Sequence, residues 1–508
     1  MKKLAFLLIL TFYLCTLIAQ ESKLPVFVTD SLENYITRGM TKWKIPGLSV
    51  AIVKDGKVLF MKGFGVTKIE SKEPVNENTL FMIGSNTKAF TSTTIAILQE
   101  EGKLSLYDKV HKWMPEFKLR DTLASNDIII ADLMSHRIGF ETFQGDFTYW
   151  TSNLSRAEVI HKMALINALY GFRLKWGYCN AAFLTAGELI PRITGNSWEE
   201  TVKEKILIPL KMNRTLMLSK ELKTASNIAF PYTIVDERLI EIPIPDIDNL
   251  APAGGISSCA KDMAIWLMAQ LNEGKVDSIQ VIPQKAIQTI RMPYSIMGID
   301  PNDKQETHFY LYGLGLIIND RNGKIVYSHT GGVNGFTSSV MFIPEEKVGI
   351  VVLTNTDHNN LFTDLTDEIR DSFLGLPYED YSDKSLELFK KYTDKSKTKI
   401  DSLKNVVKLK NKTGVPLENF EGTYTNEVYG DVAVKLEKKI LNIHFSLHPD
   451  LIGKLEYLKN DVFLCTYSDP IMGIVEIPFK VENDKVSGFT LHVADFVEFT
   501  PYIFIKNK

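Results

Sequence analysis

Apolar and polar positions change their period several times along the chain, and those changes mark out its elements. Between Gly47 and Gly65 apolar and polar residues alternate around Asp55-Gly56, the pattern of a β-hairpin. From about residue 85 to 275 the spacing turns helical, broken by loops at Gly139–Thr151 and Pro243–Gly255. Ala89, Phe90, Thr94, Ile95, Ala96, Ile97 and Leu98 predict one helix, ending near Glu101-Gly102; Ala181–Ile190 and Lys261–Leu271 predict two more. Strand period returns from Tyr310 to Asn355. Leu311–Ile318 and Lys324–Ser328 flank Asp320-Arg321-Asn322-Gly323, and Ser338–Phe342 and Val348–Leu353 follow. Leu361–Leu374 reads as a closing helix. Strands at both ends with helices between them predict one mixed α/β sheet built from distant segments, with a helical layer beside it.

The pattern then changes twice more. Residues 378–412 are rich in charge and poor in apolar positions, which suits a linker or an exposed helix; the linker is drawn at 376–416. From about Leu417 short strands and turns run to the end: Gly422–Tyr424, Val432–Leu436, Ile440–Phe445, Val462–Tyr467, Val475–Val481 and Phe489–Leu491. Residues 417–508 are therefore expected to be a second, all-β domain. At the other end, Met1-Lys2-Lys3, the apolar run Leu4–Ala19 and polar Gln20-Glu21-Ser22 read as a signal peptide over residues 1–20. That run is short for a membrane span, so no stable membrane insertion is expected after cleavage. Thr11-Phe12-Tyr13-Leu14 before Cys15 lacks the small residue of a lipoprotein signal, so the expectation is export to the periplasm or outside the cell.

Composition narrows the classes. A chain of 508 residues exceeds one compact core. Its net charge of −3 gives no electrostatic case for nucleic acid or an anionic membrane. Cys179, Cys259 and Cys465 are odd in number and far apart, which argues against a disulfide framework. No Cys or His cluster has metal-ligand spacing, so neither metal nor other cofactor is expected, and the partner is a small-molecule or peptide substrate. Oligomeric state is left open.

Candidate chemistry begins at Ser85-Asn86-Thr87-Lys88, after the apolar run Thr79–Ile83 and Gly84. Residues i and i+3 share a helix face, so the Lys88 amine can reach the Ser85 oxygen, and the helix start offers free backbone N–H groups where negative charge develops. This is the arrangement of an activated serine nucleophile. The same four-residue pattern recurs at Ser258–Lys261 and Ser396–Lys399, so the motif alone does not choose among them. Tyr178-Cys179-Asn180, at the entrance to the Ala181–Ile190 helix, can present a phenol and an amide to a cleft, or an interfacial aromatic and a helix cap. His329-Thr330-Gly331-Gly332 follows a strand, and its glycines allow a substrate close approach to backbone.

In this order and at this spacing, the three motifs resemble those of the serine β-lactamase and penicillin-binding-protein superfamily, in its class C and D,D-carboxypeptidase-like branch (peptidase S12-type). The resemblance covers about residues 25–375. It extends to Gly102–Asp108, Leu133–Gly139 and Pro252–Ile256, the last of which puts Ser258–Lys261 just behind a structural loop. It implies a β-lactamase/transpeptidase-like antiparallel sheet with a helical layer over residues 25–375, and a small barrel-like module at 417–508. It also implies an acyl-enzyme on Ser85, an oxyanion hole from the backbone N–H groups of Ser85 and Gly332, and substrate contacts from Asn180, His329, Thr330 and Gly331. Either Lys88 or Tyr178 would be the base; both have reference pKa values near 10, so a coupled pair sharing one proton is expected. The class C enzymes usually carry lysine where this chain has His329, which near its reference pKa of about 6.5 is only partly charged. A peptidase or esterase is therefore expected ahead of a β-lactamase, with a non-catalytic binding or sensor protein as the rival.

Overall fold

The computed structural model describes residues 24–298 and 307–508. The segment read as an export signal lies outside them. No helix among the described residues is long and apolar enough to cross a membrane.

Eight strands form one antiparallel sheet: β1 (Gly47–Lys54), β2 (Lys57–Gly65), β3 (Ser295–Gly298), β4 (Tyr310–Tyr312), β5 (Ile317–Arg321), β6 (Lys324–Val333), β7 (Phe336–Ile343) and β8 (Val348–Thr354). Their order across the sheet is β2-β1-β8-β7-β6-β5-β4-β3. The chain thus leaves the sheet at the β2 edge, re-enters it about 230 residues later at the opposite edge as β3, and works back until β8 lies beside β1, pairing Val50 with Val352. The predicted strand Leu311–Ile318 is split into β4 and β5, because Gly313–Leu316 turns and Gly315 takes a φ of +77°.

Helices cover both faces of the sheet, the expected helical layer on one and a second group on the other. Leu48, Val50 and Ile52 of β1 and Ile350 and Val352 of β8 pack under α1 (Leu32–Trp43) and α5 (Leu361–Phe373). The alternate residues Ala51, Val53, Val351 and Leu353 join the core of the middle region, which includes α2 (Thr87–Glu100), α3 (Asn180–Thr194) and α4 (Ala260–Leu271). Strands buried on both faces need apolar side chains at odd and even positions alike, which accounts for the near-continuous run Leu48–Val53. Within the core, α2 is buried all round from Thr87 to Leu98. It is the buried helix that continues directly from the Ser85 turn.

Residues drawn as a linker contain a 28-residue helix, α6 (Tyr381–Lys408). Its start is fixed to the first domain: Trp43 donates to Ser382 Oγ at 3.0 Å, and Leu386 is buried beside α1 and α5. The remainder is mostly exposed, consistent with its charge. Beyond it, eight strands close into a barrel: β9 (Gly422–Asn426), β10 (Gly430–Glu437), β11 (Ile440–Phe445), β12 (Ile452–Lys459), β13 (Val462–Tyr467), β14 (Ile474–Glu482), β15 (Lys485–Leu491) and β16 (Tyr502–Lys506). Two of them, β12 and β16, escaped the sequence pattern. A bulge between Tyr457 and Lys459 breaks the alternation of β12, and β16 pairs with β9 and β15 to close the barrel. Phe420, Phe463, Phe479, Phe489 and Phe504 pack ring against ring inside it, mostly edge-on or tilted. The barrel docks on the first domain, where Asn153 N–H donates to Leu447 O at 2.9 Å.

Candidate active site

Ser85 lies in a short 3₁₀ turn, Gly84–Asn86, that leads into α2. The first N–H groups of such a turn have no intrahelical acceptor, which leaves the Ser85 N–H available. The turn is tied to the sheet: Asn86 Nδ2 donates to Ser338 Oγ at 2.8 Å, and Ser338 Oγ donates to Ile83 O at 2.9 Å. On β6, strand alternation exposes Thr330 and Gly332 and buries His329 and Gly331. Gly331 is held against the turn so closely that a Cβ there would stand 1.9 Å from Ile83 O. A Cβ on Gly84 would likewise stand 2.8 Å from the Gly332 nitrogen. These two absent side chains bring the Ser85 and Gly332 backbones together.

Lys88 is wholly buried. Its Nζ lies 3.0 Å from Ser85 Oγ, 2.6 Å from Asn180 Oδ1 and 2.8 Å from Ala253 O. Burial pulls the amine down from 10.5 to about 7. That displacement corresponds to roughly 5 kcal/mol between its two protonation states. A neutral amine has two N–H donors and one lone pair. Asn180 and Ala253 accept the two donors, which leaves the lone pair for the Ser85 hydroxyl.

The coupled pair with Tyr178 expected from sequence is not how the free site is arranged. Lys88 Nζ sits over the face of the Tyr178 ring, 4.8 Å from its centre, and the phenol hydrogen-bonds to Ser85. Burial raises the phenol's pKa and outweighs the Ser85 bond that lowers it. Lysine and tyrosine are therefore driven apart: the amine toward neutrality, the phenol toward keeping its proton.

His329 also departs from expectation. Burial, then the Lys88 charge, pushes it down to about 3, so the ring is neutral rather than partly charged. Both its nitrogens are engaged inside the protein. Cys179 N–H donates to His136 Nδ1 at 3.0 Å, which puts that ring's proton on Nε2, 3.2 Å from the Tyr312 oxygen. The Tyr312 hydroxyl then donates to His329 Nε2 at 2.9 Å, and His329 Nδ1–H donates to Thr330 O at 2.6 Å. Thr330, not His329, is the exposed side chain at this end of β6. Asn180 is buried with both amide atoms in use, its Nδ2 donating to Asp146 at 2.7 Å and to the Tyr149 oxygen at 3.0 Å. It faces the lysine rather than open solvent.

Three contributors carried no signal in the sequence. Asp146, in the Gly139–Thr151 loop, is buried and pushed up to about 7 by desolvation. Tyr312 links two histidines from segments 190 residues apart. Glu498, from the barrel domain, accepts the Gly145 N–H at 2.6 Å and the Phe147 N–H at 3.0 Å, and so fixes the loop that carries Asp146. Each lies in a segment whose local pattern says only loop or strand. The other Ser-x-x-Lys pairs are not assembled this way: Ser258 is buried against Thr215 Oγ1 at 2.8 Å while Lys261 is exposed, and Ser396–Lys399 lies on α6.

Residues 32–372 match the family described as Beta-lactamase. The chain belongs to that family. Residues 408–504 match a domain of unknown function (DUF3471), which here is the closed barrel. Among curated family relatives, Unguisins hydrolase ungD of Aspergillus violaceofuscus is 27% identical over 71% of this chain and 67% of its own length. Protein flp of Staphylococcus aureus is 28% identical over 64% of this chain and 63% of its own length. The chain thus spans about two thirds of these relatives. Among solved structures, the octameric penicillin-binding protein homologue of Pyrococcus abyssi aligns with a TM-score of 0.61 at 24% identity, covering 94% of this chain and 100% of that one. A D-stereospecific amidohydrolase from Streptomyces aligns with a TM-score of 0.53 at 20% identity, over 67% and 96% of the two chains. The fold expectation of a β-lactamase-like domain with an appended barrel is met.

Proposed function

We propose that this chain is a serine hydrolase that cleaves an ester or amide through an acyl-enzyme on Ser85. The observation that carries the reading is Lys88: buried, drawn toward neutrality, and left by Asn180 and Ala253 with one lone pair, 3.0 Å from Ser85 Oγ. The neutral amine takes the Ser85 proton as Oγ bonds to the carbonyl carbon. The carbonyl oxygen becomes an oxyanion received by the backbone N–H groups of Ser85 and Gly332, a contribution of about 3 kcal/mol per donor in other hydrolases. On collapse the leaving group takes the Tyr178 phenol proton, leaving a phenolate beside the Lys88 ammonium. That phenolate then takes a proton from water as water attacks the acyl carbon. Ser85 departs with the proton held on Lys88, and all three side chains return to their starting state.

A peptidase or esterase is favoured over a β-lactamase because His329 offers no cation to a substrate carboxylate. The hydrolase name of the Aspergillus relative and the amidohydrolase title of the Streptomyces structure agree with this class. Export rests on the Met1–Ala19 pattern. Domain limits of 25–375 and 417–508, joined by α6, complete the reading.

The test is labelling by a fluorophosphonate, followed by turnover of D-amino-acid peptides, short acyl esters and a chromogenic cephalosporin. Labelling and turnover lost together in Ser85→Ala are expected. An unlabelled wild-type protein, beside a labelled control hydrolase, would leave the binding-protein rival standing.

A further inference from the structure

The loop between β15 and β16 of the barrel domain reaches the candidate site. Glu498 anchors it, buried, bonded to Gly145 and Phe147 N–H and to the Tyr429 hydroxyl at 3.0 Å. On either side of this buried anchor the loop carries two phenylalanines that stay exposed, Phe496 at 43% and Phe499 at 48%. Phe496 stands beside the oxyanion residue: a Cβ on Gly332 would meet only its ring, at 3.7 Å. Trp150 supports the ring edge-on, with centroids 5.3 Å apart. Phe499 stacks on Phe143 at 5.6 Å, and Phe143 meets Tyr178 edge-on at 5.7 Å. The two rings therefore flank the cleft on its oxyanion and tyrosine sides.

Leaving large apolar rings in water beside a reactive serine is unfavourable unless something covers them. An open space lies beside the segments that follow Trp150 and Gly332 in the chain. An interdomain cleft of about 610 Å³ is lined by Thr151, which follows Trp150, by Asn334, two residues after Gly332, and by Ile244 and Leu451. Its walls come from both domains, so it exists only with the barrel in place.

We propose that Phe496, seated on Trp150, is a specificity wall lent by the barrel, selecting substrates whose acyl part carries a large apolar group of the aromatic class. The proposal rests on the hydrolase reading for its site but not for its test. The apolar group packs on the Phe496 ring beside Gly332 and extends into the interdomain cleft, which places the scissile carbonyl at Ser85. Phe499 and Phe143 form the opposite wall, against the leaving group.

The experiment compares the full-length protein on p-nitrophenyl 4-phenylbutyrate and p-nitrophenyl acetate, which share a leaving group. Phe496→Ala is expected to lower the ratio of the two kcat/KM values about tenfold, mainly through KM for the aromatic ester. Phe496→Leu, which keeps apolar bulk and the fold, is expected to fall between the two. A ratio unchanged in both variants, with wild-type melting, would overturn the proposal. If neither ester is turned over, the hydrolase reading fails separately, and binding decides. In Ser85→Ala protein, 4-phenylbutyramide should bind more tightly than acetamide, with about a tenfold loss of that preference on adding Phe496→Ala. Equal binding of the two amides there would also overturn the wall.

Discussion

Lys88 donates to the side-chain oxygen of Asn180 across 2.6 Å, and that same amide donates at its other end to Asp146 at 2.7 Å. One asparagine thus separates a buried amine from a buried carboxyl. Both groups are pushed to about 7 by burial, from opposite sides. Burial sets the protonation of the candidate base, and Asp146, which never touches Ser85, opposes it.

The first prediction follows from Lys88 acting as the neutral amine. Its folded pKa is depressed, so the reactive form is gained as pH rises through about 7. The kcat/KM of an activated ester should rise through that region and level off above it. Lys88→Met should lower kcat/KM by about a thousandfold or more and remove the limb. A profile flat from pH 5 to 9 in the wild type would contradict this assignment.

Asp146→Asn should move that limb to lower pH. The Asp146 charge favours the Lys88 ammonium, so removing it favours the free amine. Asparagine keeps an oxygen to accept from Asn180, which preserves the local geometry. Asp146 has a raised folded pKa, so its contribution to stability is complete below its ordinary value of 3.8 and is lost as pH rises through about 7. The variant should therefore melt higher than the wild type above pH 7, and the difference should shrink in acid.

Glu498 makes the barrel part of the site's support. Glu498→Ala leaves the buried Gly145 and Phe147 N–H groups without acceptors, at a cost of about 1–3 kcal/mol each. Thermal denaturation should shift down, and kcat should fall although Glu498 is not at the serine. Wild-type kcat in a Glu498→Ala protein that melts earlier would show the loop to be structural alone.

Adjacent glycines on β6 should respond oppositely. Gly331→Ala puts a methyl 1.9 Å from Ile83 O, against backbone that cannot yield, so the protein should lose the fold of the site or fail to accumulate. Gly332→Ala meets only the Phe496 ring at 3.7 Å, an ordinary contact, and should fold with wild-type melting behaviour. Melting curves of the two variants give the comparison directly.

His329 contributes no titration near neutrality. With its ring held at about 3 and both nitrogens bonded, it should give no inflection between pH 5 and 8. Direct observation of its ring protons by NMR across that range should show one unchanging neutral tautomer, with the proton on Nδ1.

Periodicity by itself determined much of this protein. The Asp55-Gly56 hairpin, the Asp320–Gly323 turn, the central helix from Thr87, and the closing helix all depend on contacts within a few residues, and local composition reports such contacts. The motif Ser85–Lys88 was legible for the same reason: positions three apart on a helical turn meet whatever the rest of the chain does. The Tyr178-Cys179-Asn180 and His329-Thr330-Gly331 motifs single out that pair from the three matches in the sequence; its protonation state is a tertiary matter. Lys88 is pulled toward neutrality only because α2 is enclosed on every side. Tyr178 keeps its proton, and His329 loses its charge, because burial outweighs the neighbours that sequence could count. Asp146, Tyr312, Glu498 and Phe496 reach the site from loops and from a second domain, across separations no local pattern encodes. Spacing along the chain fixes which side chains can share a turn; desolvation, which sets their chemistry, is a property of the packed whole.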